Sequence, residues 1–183
     1  TDFPATKEML EYEDYQRKPT IENASEFISC VLEQNLDIAA TRKNYVDYLA
    51  HRPRVEKIGE HGLFTDEGEP VVLGQVQNQV ADHKGIVWTH VISLRREDAA
   101  RLGYDSAVQW MALLRSKRAM LCKHMKIDSA NLKWYAAFHN ESHHPHVHLL
   151  VYSVKDGEGY LTKQSIEAMR SELAHDIFRQ DLS

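Results

Sequence analysis

The sequence is poor in cysteine, in excess positive charge and in long apolar runs. Cys30 and Cys122 are its two cysteines. Their separation forms no metal-binding pair, and two free thiols fit a reducing cytosol better than a disulfide-built secreted fold. No apolar stretch approaches the roughly 20 residues that cross a bilayer as a helix, and the acidic, polar opening "TDFPATKEML" does not read as a secretory signal. The formal net charge is −5, with an isoelectric point near 6.1. That excludes a molecule-wide positive coat of the kind that blankets nucleic acid. It leaves room for local basic faces, and "HRPRVEK", "RRED" and "RSKR" are the candidates. Repeats and low-complexity segments are absent too. The 183 residues, with 43% hydrophobic content, suffice for one domain with a real core. Thr at position 1 in place of Met is what a fragment or processed product would show.

What the chain does have is histidine, concentrated in "WYAAFHNESHHPHVHLLVYS" over residues 134–153: His139, His143, His144, His146 and His148. Around it the chain alternates predicted helices and strands. Helices are expected over residues 5–18, over 20–37 with Thr20 or Asn23 as cap, over 41–52 stopped by Pro53, and over 70–83 with Pro70 in the first turn. A Gly-rich loop joins the last two. The β-branched and aromatic stretch 85–94 predicts a strand. Short and long helices follow, over 97–104 and 105–125. Residues 132–140 and 144–153 predict a hairpin, and 162–178 a closing helix capped by Thr162. This order predicts an α+β fold, an antiparallel sheet with helices on one face. Three strands are few for a stable sheet; a fourth is expected near residues 61–73, or in a segment outside this chain.

Alternation along a strand sends His146 and His148 to one face and Val147 to the other. Paired imidazoles on a sheet are two ligands of a metal site, and His139, at the end of the hairpin's other strand, is the third. Glu141 is placed to accept the second N–H of a ligating imidazole and fix its orientation. His143 and His144 fall in the turn, where either could meet a phosphate. With no cysteine nearby to close the shell, a purely structural zinc site is disfavoured. A metal with open positions can polarise a phosphoryl oxygen, and the attacking group must then come from elsewhere. Tyr45 and Tyr48, three residues apart, share one helix face. They are either covalent nucleophiles toward phosphorus or aromatic packing.

These segments resemble a known family. "FHNESHHPHVHLLVYS" is similar to the histidine motif of HUH endonucleases. Together with "YVDYLAHRPRVEKIGEHGLF", "ISLRREDAARLGY" and "MKIDSANLKWYAAFHNESHHPHVHLL", it resembles plasmid and transposon mobilisation relaxases of the MobP/MobL type. The likeness runs from "EYEDY" to "MRSEL". It implies a single cytoplasmic relaxase domain over 1–183 with a palm-like antiparallel sheet and flanking helices, the histidine pair lying on a central strand. It implies a site- and strand-specific enzyme that nicks single-stranded DNA at a transfer origin through a 5′-phosphotyrosine, aided by accessory mobilisation proteins. His139, His146 and His148 match the ligands of a divalent metal, magnesium or manganese in use. Tyr48 or Tyr45 matches the nucleophile-bearing helix. The relatives carry an earlier strand and tyrosine helix, so the nucleophile lies here or upstream. DNA contacts are expected at Arg52, Arg54, Arg95, Arg96 and His144. Two rivals remain open: a phosphodiesterase using activated water, and a DNA-binding module without chemistry.

Overall fold

A computed structural model describes residues 29–32 and 39–182. Its elements are β1 (Ser29–Leu32), α1 (Ala39–His51), α2 (Leu73–Asp82), β2 (Trp88–Ser93), α3 (Arg96–Leu102), α4 (Ala107–Ser116), α5 (Arg118–Met125), β3 (Leu132–His139), β4 (His146–Ser153), α6 (Lys163–Ile177) and α7 (Arg179–Leu182). The fold is α+β. Four antiparallel strands lie in the order β1-β2-β4-β3, so β4 is an interior strand, and β3 and β4 form the expected hairpin.

Helices cover both faces of the sheet, not one. On the first face Ile92, Trp134, Phe138, Val147, Leu149 and Val151 pack with Trp110, Leu121, Met169 and Leu173 of α4, α5 and α6. On the second, Tyr135, Ala137, Leu150 and Tyr152 pack with Val46, Leu49, Val76 and Val80 of α1 and α2. A strand covered on both sides cannot alternate polar with apolar. Residues 147–153 of β4 are accordingly all buried.

The fourth strand comes from neither expected place. Ser29–Leu32 lies within the stretch 20–37 that reads as an amphipathic helix, yet it pairs with β2 from Ser29↔Ser93 to Leu32↔His90. An apolar run as short as "ISCVL" satisfies either period, and pairing the open edge of β2 decides it. The rest of that stretch, the helix over 5–18 and the caps Thr20 and Asn23 fall outside the described residues. Residues 61–73 form no strand. The segment before and within them covers the outer edge of β3 instead, through isolated pairings Val55↔His139 and Phe64↔Ala136.

Two helices differ from expectation. α2 begins at Leu73, so Pro70 precedes it rather than opening it. The helix over 105–125 is split at Lys117, whose N–H bonds to Leu114 O at 3.0 Å in a tighter turn. No glycine or proline marks this break. Long-range pairs hold it: Lys117 with Asp176 and Arg118 with Asp66. The closing helix keeps its cap, Thr162 accepting from the Ser165 N–H at 3.0 Å.

Asp66 also accepts from Nε1 of Trp134 at 2.9 Å, and Trp134 is 1% exposed. Replacing Trp134 with alanine leaves a large cavity, while Asp66 keeps its pair with Arg118. We expect about 3–5 kcal/mol of lost stability in urea unfolding; a loss below ~1 kcal/mol would show that the core on the first face does not depend on it.

Candidate metal centre

β3 ends on His139 and β4 begins on His146, and the register pairs these two residues directly. Ala137 pairs with His148. Pleating puts residues two apart on the same face, so the hairpin brings all three imidazoles together on the face covered by α1. Ring centroids are 4.6 Å apart for His139 and His148, 5.0 Å for His146 and His148, and 5.3 Å for His139 and His146. One ring nitrogen from each lies within 4.8 Å of the others. His139 and His148 are buried and His146 is half-buried.

Backbone carbonyls select the nitrogens. Nε2 of His139 donates to Leu49 O at 3.2 Å. That carbonyl is available because the residue four ahead is Pro53, which has no N–H to return to it. One proline therefore stops α1 and frees the partner that orients a ligand. Nδ1 of His146 donates to His144 O at 3.0 Å. Nδ1 of His148 meets the Tyr45 hydroxyl at 3.3 Å. The nitrogens that remain for a metal are Nδ1 of His139, Nε2 of His146 and Nε2 of His148. The first is buried with no hydrogen-bond partner, an arrangement that costs free energy unless a ligand uses it. Three imidazoles with open positions suit a divalent cation, so the residues present fit one.

Burial, reinforced by His148 alongside, lowers the pKa of His139 to about 3, and burial lowers that of His146 to about 4. Both rings are thus neutral, ready ligands at pH 7. His90 is also driven down to about 4 by burial on the opposite face. All three are neutral when folded and protonate when unfolded below their ordinary value near 6.5. The unfolded chain then binds more protons, so stability is full above pH 6.5 and falls as pH drops toward 4. Each tenfold change in proton affinity is ~1.4 kcal/mol. The melting temperature of the metal-free protein is expected to fall steadily between pH 6.5 and 4; a flat profile there would contradict neutral His90, His139 and His146 in the folded state.

α1 lies across this face and brings both tyrosines to the histidines. The Tyr48 ring is 6.5 Å from that of His139 and 6.3 Å from that of His148. The Tyr45 ring is 6.3 Å from both Tyr48 and His148. Tyr48 is 44% exposed, whereas Tyr45 is half-buried with its hydroxyl on His148. Arg52 places its guanidinium 5.2 Å from the Tyr48 ring centroid, and ion-pairs with Glu141 at 3.6 Å. Glu141 therefore faces Arg52, while the imidazole N–H groups expected to meet it go to Leu49 and His144 carbonyls.

The other basic candidates are spread around the connector. Arg54 is exposed and left-handed at φ 90°, and its carbonyl accepts from Asn140 N at 2.8 Å. His144 is half-buried and supplies the carbonyl that holds His146. Arg95 is turned away, bonded to the buried Asp98 at 3.1 Å. Arg96 bonds to the connector itself. The sequence reading missed the Leu49 carbonyl, which Pro53 could have signalled. It also missed Asn140, which nothing in its local pattern marks.

The geometry defines a class before any comparison: an α+β protein whose β3–β4 hairpin carries an imidazole triad fit for one divalent cation, under a helix bearing two tyrosines. A model of the MobL relaxases matches residues 1–183, the whole chain. The chain belongs to the MobL relaxase family, which makes it a DNA-nicking enzyme that binds single-stranded DNA. Comparison with curated proteins and with solved structures gave no match. Among the described residues no helix is long and apolar enough to cross a membrane.

Proposed function

We propose that this chain is a metal-dependent, site- and strand-specific transesterase acting on single-stranded DNA at a transfer origin in plasmid or transposon mobilisation. The observation that carries the reading is the exposed phenol of Tyr48 beside the rings of His139 and His148. His139, His146 and His148 would hold the cation, magnesium or manganese in function. When bound, it polarises an oxygen of the scissile phosphate.

The chain's own groups do the rest. Tyr48 Oη attacks phosphorus, the bond to the 3′-oxygen breaks, and the strand stays attached through a 5′-phosphotyrosine. The phenol gives up its proton and the departing 3′-oxygen takes one, leaving a 3′-hydroxyl. Tyr45 holds the His148 ring through its hydroxyl. Arg52, over Tyr48, and the exposed Arg54 neutralise the DNA backbone beside the centre, and the half-buried His144 borders the same strand. A few local cations are enough for one strand, which agrees with an overall charge of −5.

The test is incubation of the protein with labelled single-stranded origin DNA and Mn²⁺. A protein–DNA adduct that survives denaturation, disappears with chelator and maps by peptide mass to Tyr48 is the expected result. Nicked DNA without any adduct would favour hydrolysis by water. Binding without cleavage under any metal would favour a non-catalytic module.

A further inference from the structure

Arg96 opens α3 just after β2, where a basic side chain reads as a phosphate contact. Its hydrogen bonds go elsewhere. Nε donates to Ser142 O at 3.1 Å, and Nη2 donates to Asn140 Oδ1 at 2.6 Å and to the carbonyl of Glu141. The Arg96 main-chain N–H bonds to His143 O at 3.0 Å, and Leu94 N to Pro145 O at 3.2 Å. Arg96 thus holds positions 140–143 of the β3–β4 connector, and Leu94 holds 145.

That connector joins two of the three imidazoles. It leaves β3 at His139 and enters β4 at His146, and its His144 carbonyl fixes the His146 ring. It also carries Glu141, whose carboxylate reaches Arg52, which in turn lies over Tyr48. Left alone, six residues between two strands, five of them polar, would sample many conformations, and ordering them has an entropic cost. A guanidinium is suited to the task, being planar, always charged and able to offer several donors in fixed directions; lysine offers one rotatable point charge.

We infer that Arg96 is a positioning residue for the metal centre: it clamps the connector so that His139, His146 and the Glu141–Arg52 pair hold their places, and it is not a ligand for DNA phosphate. The inference rests on the metal-dependent reading above.

Two binding measurements separate these roles in the full chain: Mn²⁺ affinity by calorimetry without DNA, and single-stranded oligonucleotide affinity in excess chelator. For Arg96→Ala the clamp raises the Kd for Mn²⁺ by roughly 10- to 100-fold, the range seen when groups supporting metal ligands are removed, and leaves metal-free DNA affinity and its salt dependence unchanged. Arg96→Lys, which keeps the charge and loses the fork, does not restore Mn²⁺ affinity. Asn140→Ala removes a clamp contact without touching any basic residue. It shifts Mn²⁺ affinity in the same direction by a smaller factor, and it decides the matter should Arg96→Ala fail to fold. Unchanged Mn²⁺ affinity in these variants, or a DNA affinity lost in Arg96→Ala and recovered in Arg96→Lys, overturns the clamp and leaves the metal-dependent reading standing. A wild-type chain that binds no Mn²⁺ overturns both.

Discussion

His148→Ala is expected to lose Mn²⁺ binding by at least ~100-fold and to nick single-stranded DNA at no measurable rate. His148 is the hub of the centre, its ring being nearer to each of the other two imidazoles than those are to one another. It also meets the tyrosine helix at a side chain, the Tyr45 hydroxyl. Removing it leaves two ligands, too few to hold a cation against water. The fold should persist, because the sheet hydrogen bonds at this position are made by the main chain. Calorimetry measures the metal, a labelled oligonucleotide measures cleavage, and circular dichroism checks the fold. Metal-free DNA binding should be unaffected, since no phosphate-binding cation has been removed. Nicking at the wild-type rate in His148→Ala would sink the role given to the triad.

Tyr48→Phe is expected to abolish the covalent protein–DNA adduct while leaving Mn²⁺ affinity unchanged. The ring remains to pack and only the hydroxyl is lost, so the defect falls on chemistry, with nicking down ~1,000-fold or more. Tyr45→Phe behaves differently. It deletes the hydrogen bond to His148 Nδ1, so metal affinity falls by ~10-fold and the adduct still forms. A denaturing gel of labelled DNA reads both results. The contrast between the two variants is the informative part, since two residues three apart on one helix face are equivalent by spacing alone. Wild-type nicking after changing both tyrosines would point to water, or to a nucleophile outside this chain.

The site was more legible in the sequence than the fold was. Alternation in "HVH" is enough to put His146 and His148 on one face, and a short connector is enough to return His139 to the same place. Stopping of the helix at Pro53 keeps Tyr45 and Tyr48 within reach. These are local facts, and they survive folding. What the residues hid depends on partners far away in sequence. Ser29–Leu32 is a strand only because β2 presents an edge to it. Lys117 breaks a helix only because Asp176 is there to receive it. Arg96 reads as surface charge until the connector is seen bonded to it. The covering of both sheet faces was foreshadowed by the unbroken apolar run 149–152 that follows the histidines.

Crystals soaked in Mn²⁺ offer the most direct trial of the central claim. The account predicts one anomalous peak per chain, within coordination distance of Nδ1 of His139 and of Nε2 of both His146 and His148. Absence of a peak at full Mn²⁺ occupancy of the solution, or a peak bound to carboxylates away from these rings, would contradict it.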